Sequence, residues 1–219
     1  MTLQADQLGC SRDGHILFGA LNFEVKAGEA LWLTGANGSG KTSLLRLLCG
    51  LSVPQEGTVR WDGRAIGSLR QDFYRDLMYC GHASGVKDDL AAWENVAIGA
   101  ALAGKKCSRV VAEHALEQIG LGEVSHLPAG ALSQGQRKRV ALARLFIHPL
   151  PRLLILDEPF SALDPAGVAS LCAALEHHLQ RGGIVMYTTH QAVELQAQRL
   201  HLLDLSACTT AICAAESTC

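Results

Sequence analysis

The chain has 219 residues, a length that suits one large domain or a core with an inserted lobe. Its composition, 48% hydrophobic and 18% charged, is typical of a folded globular protein and excludes an intrinsically disordered one. The formal net charge of −2 supplies no overall basic field, which argues against nucleic acid or anionic lipid as a partner.

Apolar runs in the sequence are too short to cross a bilayer, which requires about 20 residues. The longest candidate, residues 140–156, is interrupted by arginines, a histidine and prolines. Residues 1–10 lack the basic segment and the apolar segment that mark a signal peptide. We therefore expect that any role at a membrane requires a separate membrane partner.

Eight cysteines are scattered along the chain without a Cys-x-x-Cys spacing. In a chain of this kind we expect reduced thiols, several of them buried. Cys208, Cys213 and Cys219 cluster near the C-terminus. A metal site there is the alternative interpretation, although no histidine stands at ligand spacing.

The first third of the chain is predicted to form short strands. Gly28 lies in a turn after the first of them, and Gly81 closes the last. Asp62 and Gly63 form a dipeptide that favours a hairpin turn. The predicted strands are residues 23–25, 30–34, 58–61 and 77–80.

The middle of the chain, from about residue 90 to residue 148, has a helical pattern with few β-branched runs. One helix is predicted over residues 108–119, with Ser108 as its N-cap and Gly120 as its end. We therefore expect a helical lobe in this part of the chain.

The last third returns to strands that alternate with a helix. Strands are predicted at residues 153–156 and 184–189, and a helix over 165–181 ends before Gly182 and Gly183. This alternation predicts an α/β fold with a mostly parallel sheet covered on both faces. The predicted organisation is one domain with a core at 1–82 and 151–205, an inserted helical lobe at 83–150 and a tail at 206–219.

Residues 35–42, GANGSGKT, fit the pattern G-x-x-x-x-G-K-[ST] of a phosphate-binding loop between a strand and a helix. Its glycines let backbone N–H groups converge on an anion, and the following helix adds a partial positive charge. Lys41 is suited to the β- and γ-phosphates, and Thr42 to Mg²⁺. The motif alone leaves kinases, GTPases and motors open. The predicted nucleotide-binding residues are Gly35, Ala36, Asn37, Gly38, Ser39, Gly40, Lys41, Thr42 and Ser43.

Asp157 and Glu158 follow directly after the predicted strand 153–156. In an open parallel sheet, ligands bind at the carboxyl ends of strands, where the phosphate-binding loop also lies. Asp157 is suited to hold Mg²⁺, and Glu158 to polarise an attacking water. A solvated strand end is the alternative interpretation. A glutamate directly after the metal-binding aspartate favours hydrolysis over transfer of phosphate to a bound acceptor.

Residues 132–136, LSQGQ, predict the start of a helix. Ser133 is a favourable N-cap, and Gln136 follows three residues later, so the two predict a capping box. Residues 137–139, RKR, occupy the first turns, where the helix dipole alone would favour acids. These cations, together with the partial positive charge of the helix N-terminus, favour binding of an anion that is not part of this helix. The broad apolar face predicted for this helix comprises Val140, Leu142, Ala143, Leu145 and Phe146.

The sequence resembles the ABC ATPases. LSQGQ is similar to the signature motif of that family, and GANGSGKT, LLILDE, the loop Ser161–Asp164 and His190 follow the family's order over almost the whole chain. The resemblance implies an α/β fold with a RecA-like P-loop NTPase core, a mostly parallel sheet, an antiparallel N-terminal β subdomain and an inserted α-helical lobe. It also implies ATP hydrolysis with Mg²⁺.

In that family, the signature motif of one ATPase domain faces the γ-phosphate held by the phosphate-binding loop of a second domain. This chain has one of each motif, so the resemblance implies a homodimer. Asp164 in the D-loop is implied to cross the interface, and it is equally suited to cap a helix that begins at Pro165. The signature residues implied to act in trans are Leu132, Ser133, Gln134, Gly135 and Gln136.

The resemblance implies catalytic roles for Glu158 and His190. His190 matches the family's switch histidine, which contacts the γ-phosphate and the attacking water, although a lone histidine is otherwise commonly structural. The implied Mg²⁺ ligands are Thr42 and Asp157, with His82 as a further candidate.

Three positions depart from the family pattern. His82 stands where most members carry a glutamine that ligates Mg²⁺, and imidazole suits this hard cation less well than an amide oxygen. The aromatic residue that stacks on adenine is missing, and Arg12 or Phe18 is the candidate to replace it. Gln134 replaces a glycine in the signature motif.

Four stretches carry a narrower resemblance: YCGH at residues 79–82, LSQGQRKRVALARL at 132–145, LILDEPFSALD at 154–164 followed by Gly167 and Val168, and GGIVMYTTHQ at 182–191. Together with the short length, they resemble the haem-handling branch of the family, which serves bacterial cytochrome c maturation. This implies that hydrolysis powers haem export or the release of a haem-loaded chaperone. It implies peripheral subunits on the cytoplasmic face of the inner membrane, with an integral-membrane CcmB-like permease and CcmC-like partners. We expect no nucleic acid partner and no direct haem binding, since no Cys-Pro dipeptide occurs and His177 and His178 are expected on a solvated helix face.

Three other functions stay open on the sequence alone. The first is an ATPase subunit of another ABC exporter, for a drug or a lipid. Only the residues that resemble the haem-handling branch argue against it. A non-transport ABC ATPase would commonly carry two ATPase domains or a long coiled coil. A P-loop kinase is opposed by LSQGQ and by Glu158. The permease contact is expected beside His82, near residues 86–93, although Trp93 is equally suited to the core of the lobe.

Overall fold

Two sheets and an inserted group of helices form the fold. The structure is a computed structural model that describes residues 1–12, 14–69 and 71–206. The elements, in chain order, are β1 (Thr2–Arg12), β2 (His15–Lys26), β3 (Glu29–Thr34), α1 (Lys41–Leu48), β4 (Glu56–Trp61), β5 (Arg64–Ala65), α2 (Ile66–Leu69), α3 (Gln71–Arg75), β6 (Leu77–Cys80), α4 (Ala92–Leu102), α5 (Arg109–Glu117), α6 (Gln134–Leu142), β7 (Leu153–Leu156), α7 (Pro165–Gln180), β8 (Ile184–Thr188) and β9 (Arg199–Asp204).

The predicted tail falls almost entirely outside the described part of the chain, which ends at Ser206. Cys208, Cys213 and Cys219 therefore lie outside the described residues. The cysteines within the described part are free thiols, as expected. Burial raises the pKa of Cys49 well above its usual range, so this thiol stays protonated and unreactive.

The N-terminal strands form an antiparallel sheet in the order β2-β1-β4-β5. Asp62 and Gly63 join β4 to β5 with φ angles of 48° and 77°, as the hairpin prediction requires. Only residues 23–25 and 58–61 of this sheet were predicted. Register shifts along β1 explain the omission, because they disrupt the alternation of apolar and polar residues.

The second sheet is parallel and has the order β6-β7-β8-β3-β9. Strands β7 and β8 are buried at every residue, which explains why they read as continuous apolar runs. The prediction for residues 153–156 is confirmed, and that for 184–189 is one residue too long. Edge strand β9 was not predicted, because its residues are only exposed or half-buried.

The core lies on both faces of the parallel sheet. Leu153 and Ile155 of β7 join a cluster with the apolar residues of α1 and the antiparallel sheet. The alternate residues Leu154 and Leu156 join a second cluster with α7 and the helical lobe. This period of two fixes which face each strand side chain serves, and therefore the register of the sheet.

The helical lobe connects β6 to β7, and its helix α4 packs on α5 and α6. Ser108 caps α5, because its hydroxyl accepts a hydrogen bond from Val111 N–H at 3.4 Å. The helix predicted to continue to Phe146 instead ends at Leu142 and is followed by a 3₁₀ segment. Within the described ranges, no helix has the length and hydropathy that a membrane span needs.

Helix α7 contradicts one expectation about its histidines. His177 is exposed as expected, but His178 is buried, with 7% of its surface accessible. Its ring packs on Gly183, where a Cβ atom would lie 2.0 Å from His178 Nε2. Burial lowers the pKa of His178 more than any other influence, so the neutral imidazole is favoured.

Candidate nucleotide-binding and hydrolysis site

Loops at the carboxyl edge of the parallel sheet surround a cavity of about 520 Å³. The loop after β3 and the start of α1 supply Asn37, Gly38, Gly40, Lys41, Thr42 and Ser43. Loops after β6, β7 and β8 supply His82, Asp157, Glu158, Ser161 and His190. The remaining lining residues are Arg12, Leu17 and Lys138. The parallel sheet thus brings together motifs that are far apart in sequence.

The loop at residues 35–42 has the backbone geometry that a phosphate cradle requires. Gly40 has a φ of 96° and is the N-cap of α1, so the positive end of this helix points at the cavity. Gly35 has a φ of 139°, and a Cβ atom there would lie 2.6 Å from Ser39 Oγ. Lys41 Nζ donates hydrogen bonds to Gly35 O at 2.7 Å and to Ala36 O at 3.0 Å.

Asp157 is buried and is oriented by two hydroxyl groups. Thr42 Oγ1 donates a hydrogen bond to Asp157 Oδ2 at 2.9 Å. Thr188 Oγ1 donates to Asp157 Oδ1 at 2.8 Å. The phosphate-binding loop, β7 and β8 are therefore joined at one carboxylate, which both threonines hold at a fixed position.

Glu158 has an unusual backbone conformation, with a φ of 52°. Thr188 Oγ1 accepts a hydrogen bond from Glu158 N–H at 2.8 Å and so supports this conformation. His190 Nε2 lies 3.4 Å from Glu158 Oε1. That carboxylate oxygen is buried and makes no hydrogen bond within the described part of the chain. A strained backbone and an unsatisfied carboxylate are typical of a functional position.

The donor set at the cavity fits a nucleotide phosphate and a hard cation. Ser39 Oγ is buried without a hydrogen-bond partner among the described residues, on the phosphate loop itself. Thr42 and Asp157 offer hydroxyl and carboxylate oxygens, the atoms that Mg²⁺ prefers. The residues present therefore suit Mg²⁺ beside a bound triphosphate.

His82 lines the same cavity but is more exposed than Asp157 and Glu158. Its side chain follows β6 and is exposed, and it lines the cavity wall. The chain just before it is fixed, since Asp157 N–H donates to Cys80 O at 2.8 Å. The position of His82 at the cavity is thus set by the strand that precedes it.

The two candidates for contact with the adenine ring differ in accessibility. Phe18 is fully buried, and its ring lies 3.2 Å from the position a Cβ atom would take at Gly40. It is a core residue beneath the phosphate loop, so the expectation that it reaches the nucleotide is wrong for this conformation. Arg12 lines the cavity, which leaves it as the candidate.

None of the signature residues lines the cavity of its own chain, and Leu132 is buried. Ser133 and Gln136 form the predicted capping box: Gln136 N–H donates to Ser133 Oγ at 3.2 Å, and Ser133 N–H donates to Gln136 Oε1 at 2.9 Å. Ser133 and Gln134 are exposed. Asp164 caps α7 by accepting from Gly167 N–H at 2.9 Å, which confirms the N-cap prediction.

Lys138 and Ser161 were not predicted to meet. Lys138 Nζ donates a hydrogen bond to Ser161 Oγ at 2.8 Å. Burial lowers the pKa of Lys138, while the charges of Glu158 and Asp157 act in the opposite direction. The sequence offered no signal for this contact, because the two residues belong to different motifs and are brought together only by the packing of α6.

Comparison with known proteins defines the class of this chain. A family model described as ABC transporter matches residues 18–161. This match covers more than half of the chain, so the chain belongs to the ABC transporter family of ATP-binding proteins.

Curated relatives resemble the chain over nearly its full length. A protein of Nitrosomonas europaea named cytochrome c biogenesis ATP-binding export protein CcmA is 52% identical over 205 residues, covering 93% of this chain and 95% of the relative. A protein of the same name from Haemophilus influenzae is 44% identical over 205 residues, covering 94% of this chain and 95% of the relative.

Solved structures with lower identity share the fold. An ATP-binding protein of an ABC transporter from Pyrococcus furiosus has a TM-score of 0.77 and 22% identity, covering 93% of this chain and 98% of that chain. A dimeric ATP-binding cassette in a post-hydrolysis state with ADP and Pi also has a TM-score of 0.77 and 22% identity, covering 93% and 95% of the two chains. The α/β fold with an antiparallel sheet and a parallel sheet is therefore that of ABC ATPase domains.

Proposed function

We propose that this chain is the ATP-hydrolysing subunit of an ABC complex in cytochrome c biogenesis. In this proposal, hydrolysis powers haem export, or the release of a haem-loaded chaperone, through a membrane partner. The observation that carries the proposal is the meeting of Lys41, Asp157, Glu158 and His190 at one cavity, in a chain with near full-length similarity to proteins named CcmA.

Binding of ATP is assigned to the phosphate loop and the start of α1. Backbone N–H groups of the phosphate loop would bind the phosphates, and Lys41 would exchange its two carbonyl acceptors for phosphate oxygens. Thr42 and Asp157 would hold Mg²⁺, with His82 as a further candidate through a bound water. The cation, when bound, neutralises charge on the phosphates.

Hydrolysis is assigned to Glu158 and His190. Glu158 Oε1 is free to accept the proton of a water that attacks the γ-phosphate. His190 Nε2 lies 3.4 Å from that oxygen, so the His190 ring would contact the same water and orient it. Thr188 keeps the Glu158 main chain in place while the proton moves.

The working unit is proposed to be a homodimer. The signature residues Leu132 to Gln136 do not line the cavity of their own chain and would complete the site of a second copy, with Ser133 and Gln134 exposed to meet it. Ser133 and Gly135 would contact the γ-phosphate there, and Asp164 would cross the interface. A neighbour with this fold is dimeric with ADP and Pi, which supports the arrangement.

The membrane partner is proposed to be an integral-membrane permease of the CcmB type, with CcmC-like partners. The chain would then sit peripherally on the cytoplasmic face of the bacterial inner membrane. Contact beside His82 is proposed for residues 86–93. Trp93 itself is half-buried against the lobe core, with the Arg109 guanidinium 5.1 Å from its ring centre, which favours a structural role for this residue.

Deletion of this gene in its own host tests the proposal. We expect the deletion strain to lose covalently haem-stained c-type cytochromes, and the wild-type gene to restore them. A gene carrying Glu158→Gln should fail to restore them at equal protein level. Normal c-type cytochromes in the deletion strain would contradict the role in cytochrome c biogenesis and favour an ATPase of another ABC exporter.

A further inference from the structure

We infer that Lys138 is a positioning residue that fixes the main chain of the catalytic glutamate from the helical lobe of the same chain, acting through Ser161. The inference rests on the proposed ATPase function and adds a residue to it. Lys138 belongs to α6 of the lobe, whereas Ser161 and Glu158 belong to the loop after β7. The contact therefore joins two parts of the fold.

A continuous chain of hydrogen bonds carries the argument. Lys138 Nζ donates to Ser161 Oγ at 2.8 Å. Ser161 Oγ in turn donates to Glu158 O at 3.1 Å, as a hydroxyl can donate and accept at once. A hydrogen bond from a charged donor is stronger than one from a neutral donor. Because hydrogen bonds in series polarise one another, the Ser161 hydroxyl that accepts from Lys138 becomes a better donor to Glu158 O. The ammonium of Lys138 thus acts on the carbonyl of Glu158.

The bond completes the support of a strained residue. Glu158 has a φ of 52°, which costs an L-residue free energy unless neighbours hold it. Thr188 holds its N–H from the end of β8. Ser161 holds its C=O through Oγ at 3.1 Å and through its own N–H at 3.4 Å, and Lys138 fixes that Oγ from the lobe. Without the second anchor, the carboxylate has more freedom to leave the position that faces His190.

The packing of α6 against the loop is consistent with a defined contact. Gly135 and Lys138 are three residues apart and therefore share one helix face. A Cβ atom at Gly135 would lie 3.8 Å from the Cβ of Ala162, the neighbour of Ser161. One face of α6 thus contacts two adjacent residues of the loop, Ser161 and Ala162. Lys138 is half-buried at the cavity wall, unlike a fully solvated lysine.

Steady-state kinetics with nucleotide affinity test the inference on the full-length chain. The key variants are Lys138→Met, Ser161→Ala and the double variant, with Lys138→Arg as the conservative change that keeps a charged donor. Lys106→Met is the matched control, because Lys106 is an exposed lysine of the same lobe. Affinity is measured with ATP under conditions without turnover, and folding is monitored by thermal unfolding.

We expect Lys138→Met to lower kcat about 10-fold, which corresponds to about 1.4 kcal/mol in the barrier, with the Kd of ATP changed less than about 2-fold. Ser161→Ala should lower kcat similarly, and the double variant should be no worse than the more damaged single variant. Lys138→Arg and Lys106→Met should keep kcat within about 3-fold of wild type.

Three results would overturn the inference while leaving the ATPase assignment intact. The first is an unchanged kcat in Lys138→Met or Ser161→Ala. The second is additive losses of kcat in the double variant. The third is weaker binding of ATP by Lys138→Met with unchanged kcat, which would indicate that Lys138 contacts phosphate directly. If Lys138→Met does not fold, Ser161→Ala alone decides, since it removes the same bond without removing a charge. A wild-type chain without ATP turnover would instead contradict the proposed function.

Discussion

Thr188 Oγ1 donates a hydrogen bond to Asp157 Oδ1 at 2.8 Å, between the ends of two neighbouring buried strands. The same hydroxyl oxygen accepts a hydrogen bond from Glu158 N–H at 2.8 Å. One side chain therefore orients both acidic residues of the site. Thr188 itself is fully buried, so neither bond competes with solvent.

Replacement of Thr188 by valine tests this relationship. The substitution keeps the shape but removes the hydroxyl, leaving Glu158 N–H and Asp157 Oδ1 without this partner. We expect a loss of about 1–3 kcal/mol in the free energy of unfolding and a lower kcat for ATP hydrolysis. Denaturant unfolding and steady-state kinetics measure the two effects. Thr188→Ser, which retains the hydroxyl, is the control, and wild-type kcat in Thr188→Val would show that the bonds do not position the acids.

His82 gives a prediction about metal binding. If its imidazole stands in for the usual glutamine, His82→Gln should retain ATPase activity with a similar requirement for Mg²⁺. The side chain is exposed at the cavity wall, so the substitution should leave the unfolding midpoint unchanged. Activity is measured across a Mg²⁺ titration. Complete loss of turnover with intact ATP binding would show that the imidazole has a role that an amide cannot supply.

Burial of His178 predicts a pH-dependent stability. Burial is the main cause that lowers its pKa below the usual value of about 6.5, and the neighbouring His148 and His177 add to it, while the backbone of Arg152 opposes it. The unfolded chain therefore binds more protons near this histidine than the folded chain does. Stability from the neutral imidazole is fully present above about pH 6.5 and is lost as the pH falls below it.

Thermal unfolding between pH 8 and pH 5 measures this contribution. The unfolding midpoint of wild type should fall more steeply below about pH 6.5 than that of His178→Gln, which has no titrating group at this position. His126→Gln is the matched control, because this exposed histidine is not among the groups that shift the pKa of His178. Equal slopes in wild type and His178→Gln would show that the buried imidazole does not set the pH dependence.

The sequence predicted those parts of the fold whose signal is local. Ser108, Ser133 and Asp164 cap their helices as predicted, since capping depends on residues within one turn. Strand β7 was predicted because burial on both faces makes every residue apolar. In contrast, β9 lies at an edge and carries no continuous apolar run, so only its pairing with β3 defines it.

Features of the site that depend on tertiary packing were not predicted from the sequence. The motifs indicated which residues could meet a nucleotide, because the family pattern fixes their order along the chain. They did not indicate the Lys138–Ser161 bond, which joins residues 23 positions apart from two motifs. His178 was expected in solvent because its helix position alone does not show that Gly183 leaves space for its ring.

In the proposed mechanism, Glu158 is the base of an ATPase site that a second copy of the chain completes. The most direct measurement compares wild type and Glu158→Gln for ATP turnover, ATP affinity and oligomeric state in the presence of ATP. We predict that Glu158→Gln binds ATP normally, hydrolyses it at least about 100-fold more slowly and accumulates as an ATP-bound dimer. Turnover at the wild-type rate would contradict Glu158 as the base, and a variant that binds ATP but stays monomeric would contradict the shared site.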